Sequence, residues 1–461
     1  MKRRTFLAAS ALSLALPAAA GGAGTTTDIV FWHSMTGALR DEIERLAARF
    51  NELQAAARPA ENRSAPLANA RIYWSASTYR VIPVYKGSYD ESLAALTAPG
   101  RTAKPPHIVQ VLDVGTADMM ALGAADSGKS LVKPIHEVMA IGGQAIYPEA
   151  YLPAITGYYS DARGRLLSLP FNSSTAALYI NRDAFRRAGL DPARPPRTWH
   201  DMALAAGRLK AAGIDCPYTT GWQSWIQLEN AAALHGQPFA SDDNGFAGDH
   251  PRLLIDAPFF VRHIGMLADW RRKGWFNYYG RKDDGEPPFY NGECAMLTDS
   301  TSAYGDIARN ARFDYAISPL PHHDDARGAP ANTLIGGASL WVIAGKSLDE
   351  YKGVARFLNF LSQREVQAEW HQQTGYLPIT RAAHELSRRQ GYYDRHPGID
   401  SPLQAMIARP QGVHSRGIRL RHFVAIRAII DEELEAVWSG DKPAARALAD
   451  VVERGDRLLR Q

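Results

Sequence analysis

The sequence predicts an α/β protein of two lobes. Three observations carry that expectation. The chain has 461 residues, and at roughly 100–200 residues per domain this is two or three domains, or two large lobes. Hydrophobic residues make up 46% and charged residues 22%, which supplies a sizeable core and argues against a disordered or collagen-like chain. Short β-rich runs alternate with helical runs on both sides of the middle, the pattern of parallel α/β sheets.

The elements follow in order. Lys2, Arg3 and Arg4 precede an apolar run, TFLAASALSLALP, and Ala18-Ala19-Ala20 fits a cleavage site. Residues 1–20 read as a secretory signal peptide, too short to span a bilayer. RRTFL also resembles a twin-arginine export signal, so both export routes stay open. IVFW (29–32) reads as the first strand. Leu39, Ile43, Leu46, Ala47 and Phe50 then share one helical face. Pro59, Asn62, Ser64, Pro66 and Asn69 are loop chemistry, so 55–80 reads as a surface insertion, within which 72–78 forms a short strand or hairpin. The glycosylation match at Asn62-Arg63-Ser64 is discounted. RVIPVY (80–85) and HIVQVL (107–112) read as strands, each followed by a helix, at 90–96 and 117–122. No later stretch reaches eighteen apolar residues, so the mature chain is expected to be soluble.

Net charge is +4, and three of those positives lie at residues 2–4. A near-balanced remainder gives no reason to expect a nucleic-acid partner. Cys216 and Cys294 are the two cysteines. An exported chain permits a disulfide between them, and two buried free thiols remain equally open. There is no CxxC and no Cys/His cluster at metal spacing. No GxSxG, HExxH, Walker A or GxGxxG motif appears. His322-His323-Asp324-Asp325 reads as a solvated loop, and Glu432-Glu433 as a solvated helix face. No group is set up to activate a nucleophile or a water.

Four segments have the composition of a binding cleft: FNSST (171–175), GWQSW (221–225), GGASLW (336–341) and TGYLP (374–378). Each alone also fits a helix cap, a core tryptophan pair or a turn. If a helix opens at Thr175, its free N–H groups add to an anion site.

YINRDAFRRAGLDPARPPRTWHDM (179–202) and VARFLNFLSQREVQAEWHQQTGYLP (354–378) resemble signatures of the periplasmic solute-binding proteins of carbohydrate-type ABC importers. FWHSMTG (31–37), IPVYKGSYDESL (82–93), VLDVGTADMM (111–120), GYYSD (157–161), LPFNSST (169–175), GWQSWIQLEN (221–230), FYNGECAM (289–296), IGGASLWV (335–342) and IIDEELEAVWSG (429–440) resemble the sn-glycerol-3-phosphate-binding branch. The resemblance covers nearly the whole mature chain, with the strings in the same order. It implies the type II periplasmic-binding-protein fold, with a ligand cleft between lobes joined by hinge crossings. The lobes are expected at 24–173 with 301–368 and at 174–300 with 369–461, the 55–80 insertion belonging to the first.

The resemblance also implies a periplasmic, monomeric binding protein, not an enzyme, without cofactor or metal. It would capture sn-glycerol-3-phosphate by hinge closure and deliver it to ABC importer permease subunits served by a cytoplasmic ATPase. Glycerophosphodiesters such as glycerophosphocholine are the nearest alternative ligands, and a plain sugar is a third. A secreted phosphodiesterase-type enzyme or polysaccharide lyase would need a metal cluster or a matched acid/base pair. Carried over string by string, the ligand residues are Tyr89, Asp113, Ser174, Trp222, Trp225, Ser300, Gly337, Tyr376 and Arg427. Trp222 and Trp225 are implied at the glycerol end. Asp113 stands where the family has Glu, one methylene longer. Arg419 and Arg421 lie near Arg427 and compete for its role. The chemistry suits the ligand: an arginine fork holds two phosphate oxygens, serine hydroxyls and backbone N–H groups beside glycines donate, and a carboxylate accepts from glycerol hydroxyls.

Overall fold

The computed structural model describes residues 26–61, 77–98, 105–123 and 130–461. The signal peptide, the sequon and the middle of the 55–80 segment lie outside them. Among the described residues nine strands run in chain order: β1 (Thr26–His33), β2 (Thr78–Tyr85), β3 (Ile108–Leu112), β4 (Val132–Lys133), β5 (Leu169–Asn181), β6 (Cys216–Thr220), β7 (Cys294–Ser300), β8 (Tyr315–Pro319) and β9 (Ile335–Ile343). Their order is β2-β1-β3-β9-β5-β7-β6, with β4 on β9 and β8 on β5. The pairs β1–β2, β1–β3 and β6–β7 are parallel, as alternation predicts. The middle is antiparallel, because β9 returns from the far half of the chain between β3 and β5.

The helices predicted at the start are present, as α1 (Gly37–Glu61), α2 (Tyr89–Thr97) and α3 (Thr116–Gly123). Ser88 and Glu91 close a capping box at the start of α2, which fixes its first turn. Helix α1 runs through Glu61 and β2 begins at Thr78, so both ends of the 55–80 segment are regular elements rather than insertion.

Strand β5 organises the molecule. Its 13 residues are all buried. Leu169–Thr175 pairs with β9, and Ala176–Asn181 pairs with β7 and β8. One large core gathers Ile29, Phe31, Phe171, Leu340, Phe357 and Trp370 on the first side. Another gathers Leu178, Phe185, Trp199, Ile264, Ile430 and Leu448 on the second. The helix considered at Thr175 is not formed. A strand buried on both faces loses its period-2 signature, and the Thr175 hydroxyl that suggests a cap is spent laterally: Thr175 Oγ1 lies 2.6 Å from Thr333 Oγ1 and donates to the Leu334 carbonyl at 3.0 Å.

One open reading is settled and two change. Cys216 and Cys294 are partners across the parallel β6–β7 pair and are joined by a disulfide. His323 is buried, not solvated: its Nε2 is 3.0 Å from His263 Nδ1, and its backbone N–H donates to His235 Nε2 at 2.7 Å. Glu433 is buried between Lys442 and Arg454, because the last two helices, Phe423–Ser439 and Ala444–Leu459, pack side by side. Among the described residues no helix is long and apolar enough to cross a membrane.

Candidate functional site

A cavity of about 220 Å³ opens where β5 changes partners. Tyr89, Asp113, Ser174, Trp222, Trp225, Ser300, Gly337, Tyr376 and Arg427 all line it. Register explains part of the convergence. Ser174 lies opposite Gly336 on β9, Ser173 opposite Gly337, and Ala176 opposite Ser300 on β7. Asp113 and Tyr89 arrive from the C-terminal end of β3 and the start of α2.

The two glycines work differently from a loose turn. They lie inside β9. A Cβ on Gly336 would stand 2.4 Å from the Trp225 indole, so this glycine seats that ring. Gly337 has φ +93°, and a Cβ there would be 1.9 Å from the Asn172 carbonyl oxygen. Asn172 Nδ2 donates to the Tyr89 hydroxyl at 3.0 Å, while its Oδ1 accepts from Gln110 at 2.8 Å. Gln110 Oε1 in turn accepts from the Ser34 backbone N–H at 2.9 Å. Tyr376 stacks on Trp370, which stacks on Phe171, and burial pushes its hydroxyl up to about 12. Trp222 adopts φ +41°, held by its backbone N–H to the Lys282 carbonyl and its Nε1 to Asp283 Oδ1.

The charges are more balanced than a bare anion clamp. Of the three arginines, Arg427 lines the cavity. Arg419 turns away to the carbonyls of Gly157 and Ser160, and Arg421 is exposed. Arg427 donates from Nε and Nη2 to both oxygens of buried Glu229, at 2.6 and 2.8 Å, and Asp113 Oδ2 lies 3.6 Å from Nη2. Burial works against the Arg427 charge, yet Glu229 and Asp113 outweigh it and the net direction is up. Burial pushes Asp113 up to about 6, with Arg427 opposing the rise. Asp283, Glu286 and Asp306 also line the cavity, and Arg309 there pairs with Asp306. Two buried lining side chains keep unpartnered atoms of opposite kind, the acceptor Asp113 Oδ1 and the donor Trp225 Nε1.

Sequence reasoning missed several lining residues. Ser34 to Leu39 bring the start of α1 to the cavity, and α1 has no acid in its first turn. A 25-residue helix thus offers free N–H groups and the positive end of its dipole, the role considered for Thr175. FWHSMTG contains Ser34 to Gly37 of this segment, but its hydrophobic pattern does not mark a helix start facing a cavity. Glu229 sits within GWQSWIQLEN on a stretch of π-helix, Trp225–Asn230, and its importance appears only through Arg427.

The model of the bacterial extracellular solute-binding proteins matches residues 73–391. The chain belongs to that family. The sn-glycerol-3-phosphate-binding periplasmic protein UgpB of Escherichia coli K12 is 47% identical over 454 residues, covering 98% of this chain and 97% of that protein. The protein of the same name from Yersinia enterocolitica is 47% identical over 450 residues, covering 97% and 95%. Among solved structures, UgpB from Mycobacterium tuberculosis in complex with glycerophosphocholine superposes with TM-score 0.72 at 22% identity, over 94% of this chain and 98% of that one. Maltose-bound MalE3 of T. maritima gives 0.68 at 15%, over 93% and 99%. The solute-binding fold expected from the sequence is the fold observed, two-lobed and α/β.

Proposed function

We propose that this chain captures sn-glycerol-3-phosphate in the cavity and delivers it to the membrane permease of an ABC importer. It acts as a monomer in the periplasm, after residues 1–20 are removed. The observation that carries this reading is the convergence of the nine residues, drawn from segments more than 300 positions apart, on one small cavity. Arg427 presents the Nη1 end that Glu229 does not occupy, and with the N-terminus of α1 and the hydroxyls of Ser174 and Ser300 it receives the phosphate. Asp113 Oδ1 accepts from a glycerol hydroxyl, and Trp225 Nε1 donates to a ligand oxygen. The role is binding rather than catalysis, with neither cofactor nor metal needed for it.

The first lobe is built on β1–β4, β9 and the first half of β5. The second is built on the rest of β5, β6–β8 and the helix Phe423–Ser439. In this division 315–319 moves to the second lobe by its pairing with β5, and Trp370 to Ile379 move to the first by their core. Ligand drives closure only by binding the closed form better than the open one, and a cavity walled from both sides of β5 permits that.

A second reading, a glycerophosphodiester as ligand, is favoured by the acids at the cavity wall. A monoester near charge −2 meets them less comfortably than a diester near −1. Titration calorimetry on ligand-free protein with sn-glycerol-3-phosphate, glycerophosphocholine and maltose tests both. Tight binding of the monoester is expected. Binding of the diester alone replaces the first reading with the second, and binding of maltose alone overturns both.

A further inference from the structure

Asp283, Glu286 and Asp299 each offer a carboxylate oxygen, all within 4.8 Å of one another. Asp283 and Glu286 line the cavity, and Asp299 lies behind them, fully buried. Asp299 Oδ1 accepts from the Ser300 backbone N–H at 2.6 Å, but its Oδ2 has no hydrogen-bond partner. Gly221 makes room for that oxygen, since a Cβ there would stand 1.9 Å from it. The nearby cations are engaged elsewhere: Lys282 with Asp90 at 3.3 Å, and Arg309 with Asp306. A buried carboxylate with one oxygen lacking any donor and with no cation beside it is costly, and two more carboxylates nearby raise that cost.

We infer that Asp283, Glu286 and Asp299 form a cation-binding subsite adjoining the cavity, able to take a hard divalent ion or a primary ammonium carried by the ligand. Oxygen ligands at 2.3–2.6 Å suit Ca²⁺, and three carboxylates are the hard donors it prefers. A primary ammonium has three N–H donors. At hydrogen-bond lengths of 2.7–2.9 Å its tetrahedral geometry places three acceptors about 4.6 Å apart, within the spacing observed. A trimethylammonium group has no donor for any of them. The ammonium arm rests on reading the cavity as a glycerophosphate site, whereas the metal arm does not.

The mature protein is titrated by calorimetry with CaCl₂ and MnCl₂ alone, and then, in EDTA, with glycerophosphoethanolamine and glycerophosphocholine. The same titrations are run on Asp299→Asn after a thermal melt confirms that it folds. Two results support the subsite: micromolar metal binding, or a preference of at least tenfold for the ethanolamine ester, weakened at least tenfold in Asp299→Asn. Two overturn it. One is no metal binding at millimolar concentration together with equal affinity for the two esters. The other is metal binding or ester preference that Asp299→Asn leaves unchanged. A separate titration with sn-glycerol-3-phosphate, which Asp299→Asn should not weaken, keeps failure of the subsite distinct from failure of the functional reading.

Discussion

Replacing Arg427 separates what the arginine does for the ligand from what it does for the fold. Its guanidinium neutralises buried Glu229 through two hydrogen bonds and lies 3.6 Å from Asp113. In Arg427→Met the apolar volume is largely kept, but two buried carboxylates lose the cation they share. Breaking one partner of a buried pair costs about 3–5 kcal/mol, so the urea midpoint should fall by that equivalent. For the ligand, each lost charge-assisted hydrogen bond is worth about 1.5–3 kcal/mol, and the uncovered carboxylates repel phosphate. Affinity for sn-glycerol-3-phosphate should fall at least 100-fold. Adding Glu229→Gln removes one stranded charge, so stability should recover by at least about 2 kcal/mol while affinity stays low, because the donors are still missing. Calorimetry and urea denaturation on the two variants and wild type read both quantities. Wild-type affinity in Arg427→Met would refute the phosphate role. Affinity restored together with stability in the double variant would refute direct donation and leave Arg427 as a neutraliser of Glu229.

Other perturbations reach different parts of the structure. Gly337→Ala places a Cβ 1.9 Å from a backbone oxygen at φ +93°. The strain should cost at least about 2 kcal/mol and weaken binding by moving Asn172, and an unchanged melting temperature would contradict this. The Cys216–Cys294 disulfide closes 78 residues, for which loop entropy gives about 4–5 kcal/mol. Replacing both cysteines by serine should lower unfolding free energy by roughly that amount, and a loss under 1 kcal/mol would show the loop is already constrained when unfolded. Burial lowers His323 to about 4, so its folded form resists a proton that the unfolded chain accepts near 6.5. Its contribution to stability is full above 6.5 and declines as pH falls toward 4, by about 2 kcal/mol at pH 5. His323→Gln should therefore lose about 2 kcal/mol less than wild type between pH 7 and 5 in urea titrations, and parallel losses would place the titrating group elsewhere.

How much was legible depends on the range of the interaction. Leu39, Ile43, Leu46 and Phe50 announce α1 because helix periodicity is local, and strands β1 to β3 are read within a residue or three of their bounds. The nine cavity residues were located by resemblance, not by pattern, since their convergence depends on β5 meeting β9 and β7. The same strand shows where local reading fails. Ser173, Ser174 and Thr175 look like a cap, but they are buried inside a strand, and the Thr175 hydroxyl bonds sideways to Thr333 and Leu334. His323 looks solvated beside Asp324 and Asp325, because its partners His235 and His263 lie 60 or more positions away. Glu229 is invisible for the same reason, 198 residues from Arg427.

The Glu229–Arg427 pair also bears on how such a cavity handles an anion. An unpaired buried guanidinium costs several kcal/mol before any ligand arrives, so the unliganded protein needs Glu229. The phosphate then meets a cation whose field is already partly spent, and its binding energy is a difference between two good arrangements. That lowers the gain from Arg427 and raises the share left to oriented neutral groups: the N–H groups opening α1, the Ser174 and Ser300 hydroxyls, and the Trp225 Nε1. Neutral donors held in place favour a ligand by shape more than by charge. A cavity built this way should discriminate glycerol-3-phosphate from inorganic phosphate more sharply than an open arginine cluster would, because the glycerol end must satisfy Asp113 at the same time as the phosphate end reaches Arg427.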